Sequence, residues 1–232
     1  MSTLLAIDTS TTLASVALLC NGEIHTRESQ GVQTHSQVIL PMVQELLALV
    51  GMSLTQCDAI AYGAGPGSFT GVRTACGLAQ GLGFGANLPV VPLVTLEAMA
   101  EACREATGKT DILTVLDAAM GEVYWAQYRF ENGWQQVVEP TLSSPSAVAP
   151  QGEVLACGNG LSVYASAFDG RAFANGALPM ILPHAKQMAR LGLYAFEQGK
   201  AIAARDAQPF YLRNKVAFTT AERAEQATKV CG

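Results

Sequence analysis

Apolar and polar positions divide the chain into two similar series of elements. Leu4 to Asp8, Leu13 to Cys20 and Glu23 to Ser29 read as three strands, joined by polar Ser10-Thr11-Thr12 and by Asn21-Gly22. Asn-Gly between two such runs predicts a tight hairpin, because both residues tolerate positive φ. A helix is predicted from His35 to Val50, with Thr34 as N-cap and Gly51 as stop. A strand at Ala59 to Tyr62, a glycine-rich turn, a helix from Thr70 to Gly85, a strand at Val90 to Val94 and a helix at Leu96 to Ala106 complete a βββαβαβα order.

The order then starts again. Strands are predicted at Ile112 to Asp117, Glu122 to Phe130 and Trp134 to Glu139, a short helix near Pro145 to Ala149, a strand at Val154 to Cys157 and a helix at Ala185 to Gln198. The pattern gives an α/β fold of duplicated βββαβα lobes, residues 1–106 and 107–218, the second reduced. Residues 219–232 are polar enough for a loose or weakly helical tail.

Two helices carry more apolar or small residues than a single buried stripe needs. On the first, Val38, Ile39, Leu40, Met42, Val43, Leu46, Leu47, Leu49 and Val50 cover roughly 200° of arc, against the ~100° of one-sided packing. Pro41 should kink it. The second holds Gly71, Gly77, Gly81, Gly83 and Gly85, and each interior glycine costs about 0.5–1 kcal/mol relative to alanine. Such a cost implies close approach of another backbone, within the lobe or from a second protein. The candidate partner-binding set is Ile39, Val43, Leu46, Leu47, Val50, Gly71, Arg73, Thr74, Ala75, Leu78 and Leu82. Arg73, a charge among apolar neighbours, could hold a phosphate, a partner carboxylate or a nearby acidic side chain.

Composition narrows the function. The 232 residues are 50% hydrophobic with a net charge of −5, which supplies a core and argues against a sequence-independent grip on nucleic-acid phosphates. Any contact with nucleic acid is expected to be indirect or weak. No leader-like or membrane-spanning run is expected, so the expected compartment is the cytoplasm. The six cysteines lack C-x-x-C spacing and read as reduced core residues. The three histidines are far apart in sequence, none with a second His or Cys at i+3 or i+4, so no metal site is expected. No nucleophile elbow appears, and no catalytic residue is assigned.

Two motifs remain. Asp8-Thr9-Ser10-Thr11-Thr12 ends a strand and could contact phosphate and metal, or form an ordinary Asx turn. Gly63-Ala64-Gly65-Pro66-Gly67-Ser68-Phe69-Thr70-Gly71 lies between strand and helix but lacks the Walker lysine and the third glycine of a dinucleotide fingerprint. It reads best as a tight structural turn.

Together, Asp8-Thr9-Ser10, His35-Ser36, Leu40-Pro41, Gly65-Pro66-Gly67-Ser68-Phe69-Thr70-Gly71-Val72-Arg73 and Tyr211-Leu212-Arg213 closely resemble the TsaB (YeaZ) family, in order and over essentially the whole chain. The resemblance implies an actin-like (ASKHA, ribonuclease H-like) fold. It also implies a non-catalytic role in forming threonylcarbamoyladenosine at position 37 of tRNAs reading ANN codons. In the pathway so implied, a TsaC-type enzyme makes threonylcarbamoyl-AMP and the TsaD transferase passes the threonylcarbamoyl group to adenine; the partners implied for this chain are TsaD and, through that pair, the ATPase TsaE, with a homodimer possible for the isolated chain. TsaD enzymes carry His-x-Glu-Gly-His where this chain has Thr95-Leu96-Glu97-Ala98-Met99, so neither metal-binding imidazole is present. No cofactor is implied. The alternative is a nucleotide-binding or ATP-dependent enzyme using Asp8 to Ser10.

Overall fold

A computed structural model describes residues 2–30 and 35–213; the expected N-cap Thr34 and the 219–232 tail lie outside the described residues. Strands β1 (Leu4–Asp8), β2 (Leu13–Cys20), β3 (Glu23–Gln30), β4 (Ala59–Gly65) and β5 (Val90–Val94) form one sheet in the order β3-β2-β1-β4-β5. β1 runs antiparallel to β2 and parallel to β4. The β2–β3 hairpin turns at Asn21-Gly22, both with positive φ.

The sheet is covered on both faces, which is why β1 and β4 are continuous apolar runs. Leu5 and Ile7 face a core shared with helices α1 (His35–Leu49) and α2 (Phe69–Ala86), whereas Leu4 and Ala6 face the opposite side. There they meet Met188 and Ala189 of α5 (Ala185–Glu197). Gly192 lets α5 lie against β4, since a Cβ there would be 2.6 Å from that of Ala61. The sequence pattern assigns α5 to the second lobe. The structure corrects this, because its buried stripe completes the first sheet.

The second sheet, β6 (Asp111–Asp117), β7 (Val123–Phe130), β8 (Trp134–Ser143) and β9 (Leu155–Cys157), is ordered β8-β7-β6-β9 and repeats the βββ opening. The helix expected near Pro145 is a single 3-10 turn, Pro145–Ala147, and a short α4 (Gly160–Val163) follows β9. Helix α3 (Thr95–Thr107) joins the lobes: Ala98 packs with the first sheet's outer core, while Leu96, Met99, Ala100 and Cys103 pack on Ile112, Leu116 and Tyr128 of the second. Cys20, Cys57, Cys76, Cys103 and Cys157 are free and buried.

Candidate functional site

The two sequence motifs interlock. Ser10 donates its backbone N–H and its hydroxyl to Asp8 Oδ1, the Asx-turn reading of that segment. Thr9 Oγ1 donates to the Gly71 carbonyl at 2.6 Å, and Ser68 N–H donates to the Ser10 carbonyl at 2.7 Å. A Cβ on Gly71 would run into the Thr9 carbonyl, and one on Gly67 into that of Ser10. Those glycines are therefore required by backbone crossing backbone. Ser68 caps α2, its hydroxyl accepting from Gly71 N–H.

Asp8 is fully buried beneath this turn, its Oδ2 against Gly63 and without a hydrogen bond. Burial pushes its carboxyl up to about 7, only partly offset by the Ser10 hydrogen bonds. Asp8 and Thr9 do not line the cleft beside the turn; Ser10 does, with Thr11 and Thr12.

That cleft, about 580 Å³, lies between the lobes. One wall comes from Pro66 to Phe69, the other from Leu116 to Met120 with Tyr124 and Asn159. The segment from Gln208 to Arg213 crosses between the lobes. Gln208 N–H donates to Tyr62 Oη, Phe210 N–H to the Ala64 carbonyl, and Arg73 Nε to Tyr211 Oη at 2.6 Å. Arg213 then reaches the second lobe, pairing with Glu122 and donating to the Ala119 carbonyl. Arg73 thus has aromatic partners rather than the nearby acidic side chain weighed for it. Its guanidinium stacks 3.4 Å from the centre of the Phe69 ring.

Neither residue at the TsaD histidine positions is available to a ligand. Thr95 is buried and donates to the Pro66 carbonyl. Met99 is buried with its Cε beside Gly158. Among the described residues, no three His, Cys, Asp or Glu side chains converge. Met99→His should lower unfolding free energy in urea by about 2–5 kcal/mol, through lost packing and a buried polar ring, without zinc retention. A stable variant that retains zinc would contradict this.

Of the partner-binding candidates, Ile39, Val43, Leu46, Leu47 and Ala75 belong to the lobe's own core, and Gly71 to the crossing with Thr9. Val50, Thr74, Leu78 and Leu82 are half-buried and Arg73 is exposed. Apolar surface remains at Leu40 (41% exposed), Leu49 (57%) and Phe84 (79%). Gly77, Gly81 and Gly85 face open space, with nothing within 4 Å of a Cβ.

Sequence reading missed Asp117 and Asn159, which line the cleft from the second lobe. A signal existed: Asp117 ends the first strand of the repeated unit, as Asp8 ends that of the first.

The family described as TsaD: tRNA N6-adenosine threonylcarbamoyltransferase matches residues 21–227. The tRNA threonylcarbamoyladenosine biosynthesis protein TsaB of Escherichia coli is 40% identical over 93% of this chain and 96% of its own. That of Haemophilus influenzae is 40% identical over 93% and 95%. The solved structure of YeaZ from Pseudomonas aeruginosa superposes with a TM-score of 0.84 at 37% identity, covering 91% of this chain and all of that one. A second Pseudomonas aeruginosa structure, of an uncharacterized protein with similarity to peptidase YeaZ, gives 0.86 at 36% identity, covering 92% of this chain and all of that one. The actin-like fold expected from the motifs agrees with these neighbours, and the chain belongs to the TsaB (YeaZ) family.

Proposed function

We propose that the chain is a non-catalytic scaffold subunit in tRNA threonylcarbamoyladenosine biosynthesis, acting in the cytoplasm by binding a TsaD transferase and, with it, TsaE. The shared name of its relatives supports the pathway. The observation that carries the scaffold role is the glycine row on α2. Gly77, Gly81 and Gly85 weaken the helix, yet nothing within the described residues packs on them. With exposed Phe84 and half-buried Leu78 and Leu82 beside them, they form a surface that another helix could approach closely. The isolated chain closes the same face against a second copy. Candidates whose side chains serve the core, such as Leu46 and Ala75, support this surface from beneath.

Gly81→Arg tests the surface without touching the core, because a side chain there projects into open space. Binding to TsaD, measured by calorimetry, should weaken at least about tenfold (about 1.4 kcal/mol) while the melting temperature holds or rises. Unchanged affinity would remove α2 from the interface. The ATP-dependent alternative is weaker, since Asp8 is sealed under the Ser10 turn rather than facing the cleft.

A further inference from the structure

The second lobe has a cavity of its own, about 350 Å³, which the scaffold role does not use and which shares no lining residue with the cleft between the lobes. Its wall is built from three short turns that follow β9: α4, Ala165–Ala167 and Ala172–Ala174. Phe168 and Phe173 meet edge to face with ring centres 5.8 Å apart, and they anchor these turns in the lobe's core. Between these two residues the chain reverses at Asp169-Gly170. Arg171 N–H donates to the Phe168 carbonyl to close the turn, with φ of 71° at Gly170. Asp169 and Arg171 therefore flank one tight turn, and both line the cavity with Leu161, Phe168, Asn175 and Pro179.

The charges on this lining are opposite and unmatched. Arg171 is half-buried, and its guanidinium is held in place: it donates to the Val148 carbonyl and lies 5.3 Å from the centre of the Phe173 ring. That hydrogen bond leaves most of the guanidinium donors unused. Arg171 has no carboxylate partner among the described residues, and Asp169 has neither an ion pair nor a hydrogen bond among them. The Asn175 carboxamide is likewise without a hydrogen bond there. Such a lining disfavours a simple ion of either sign, because an anion drawn to Arg171 meets Asp169 and a cation drawn to Asp169 meets Arg171. A molecule that carries both charges satisfies the two together. A planar carboxylate matches the guanidinium fork, and an ammonium supplies donors for Asp169 and for the Asn175 carbonyl. Those two groups on one carbon describe an α-amino acid. Leu161, Phe168 and Pro179 offer its side chain an apolar surface, in a volume at the small end of ligand pockets.

We propose that this cavity binds a free α-amino acid with an apolar side chain, its carboxylate on Arg171 and its ammonium on Asp169. An NMR titration of the full chain tests it with L-leucine, glycine, isocaproate, which lacks the ammonium of leucine, and isoamylamine, which lacks the carboxylate. L-Leucine should saturate below about 10 mM, with amide shifts centred on residues 161–179. Glycine and the two single-charge analogues should each bind at least about tenfold more weakly. Asp169→Asn should weaken L-leucine by a similar factor without moving the melting temperature, because the side chain is exposed and makes no hydrogen bond among the described residues. Arg171→Gln should weaken it as much; should loss of the Val148 contact unfold that variant, Asp169→Asn carries the test alone. No saturation by L-leucine, or shifts centred elsewhere, overturns the proposal. Equal binding of isocaproate or isoamylamine overturns it too, replacing the amino acid with a simple anion or cation, and equal binding of glycine removes the apolar side chain from it.

Discussion

Asp8→Asn should make the protein more stable at pH 8, by up to about 4 kcal/mol, the free energy that corresponds to the raised carboxyl pKa. Burial raises the folded carboxyl from 3.8 to about 7, so the folded chain holds this proton more tightly than the unfolded one. The sign follows: the contribution is full below about pH 4 and is lost as pH rises through about 7. Above that, folding keeps an ionised carboxylate without solvent and with Oδ2 unpaired. Asparagine keeps the acceptor for Ser10 and carries no charge, so the variant should lose less stability than wild type between pH 4 and pH 8. Urea unfolding at pH 4, 6 and 8 checks it. A variant less stable than wild type at pH 8 would show that the ionised form is stabilised, as by a bound cation, and would revive the ATP-dependent reading.

Gly71→Ala should lower stability by about 3 kcal/mol or more, at the upper end of overpacking costs, because the new methyl meets the Thr9 carbonyl. Backbone on both sides leaves no side chain to rotate away. Relief requires breaking the Thr9 to Gly71 hydrogen bond that joins β1 to α2. Nearly three turns along the same helix the sign reverses: Gly81→Ala should gain about 0.5–1 kcal/mol, since its Cβ enters open space. Thermal unfolding of the two variants compares a glycine required inside the chain with one that the fold itself does not use. Equal effects would refute that distinction.

The strands were legible because their signals are local. Asn21-Gly22 specifies its hairpin, and Leu4 to Asp8 declares two-sided burial by its unbroken apolar run. Helix α5 was found but misplaced, since its apolar stripe does not reveal which sheet it covers; Gly192 against Ala61 decides that only in three dimensions. The wide arc of α1 divides between the core, through Ile39 and Leu46, and the surface, through Leu40 and Leu49. Spacing alone could not separate these. Arg73 illustrates the same limit, because its aromatic partner Tyr211 lies 138 residues away. From its neighbours Asp8 read either as a phosphate-site acid or as the acid of an Asx turn, and its burial depends on Gly63 and Met188 from distant elements.

The scaffold account is tested most directly by tRNA threonylcarbamoylation reconstituted from TsaC, TsaD and TsaE, with and without this chain. Activity should require the chain, be restored by Asp8→Asn as well as by wild type, and fail with Gly81→Arg. Equal activity without the chain, or modification by the chain with TsaC alone, would contradict it.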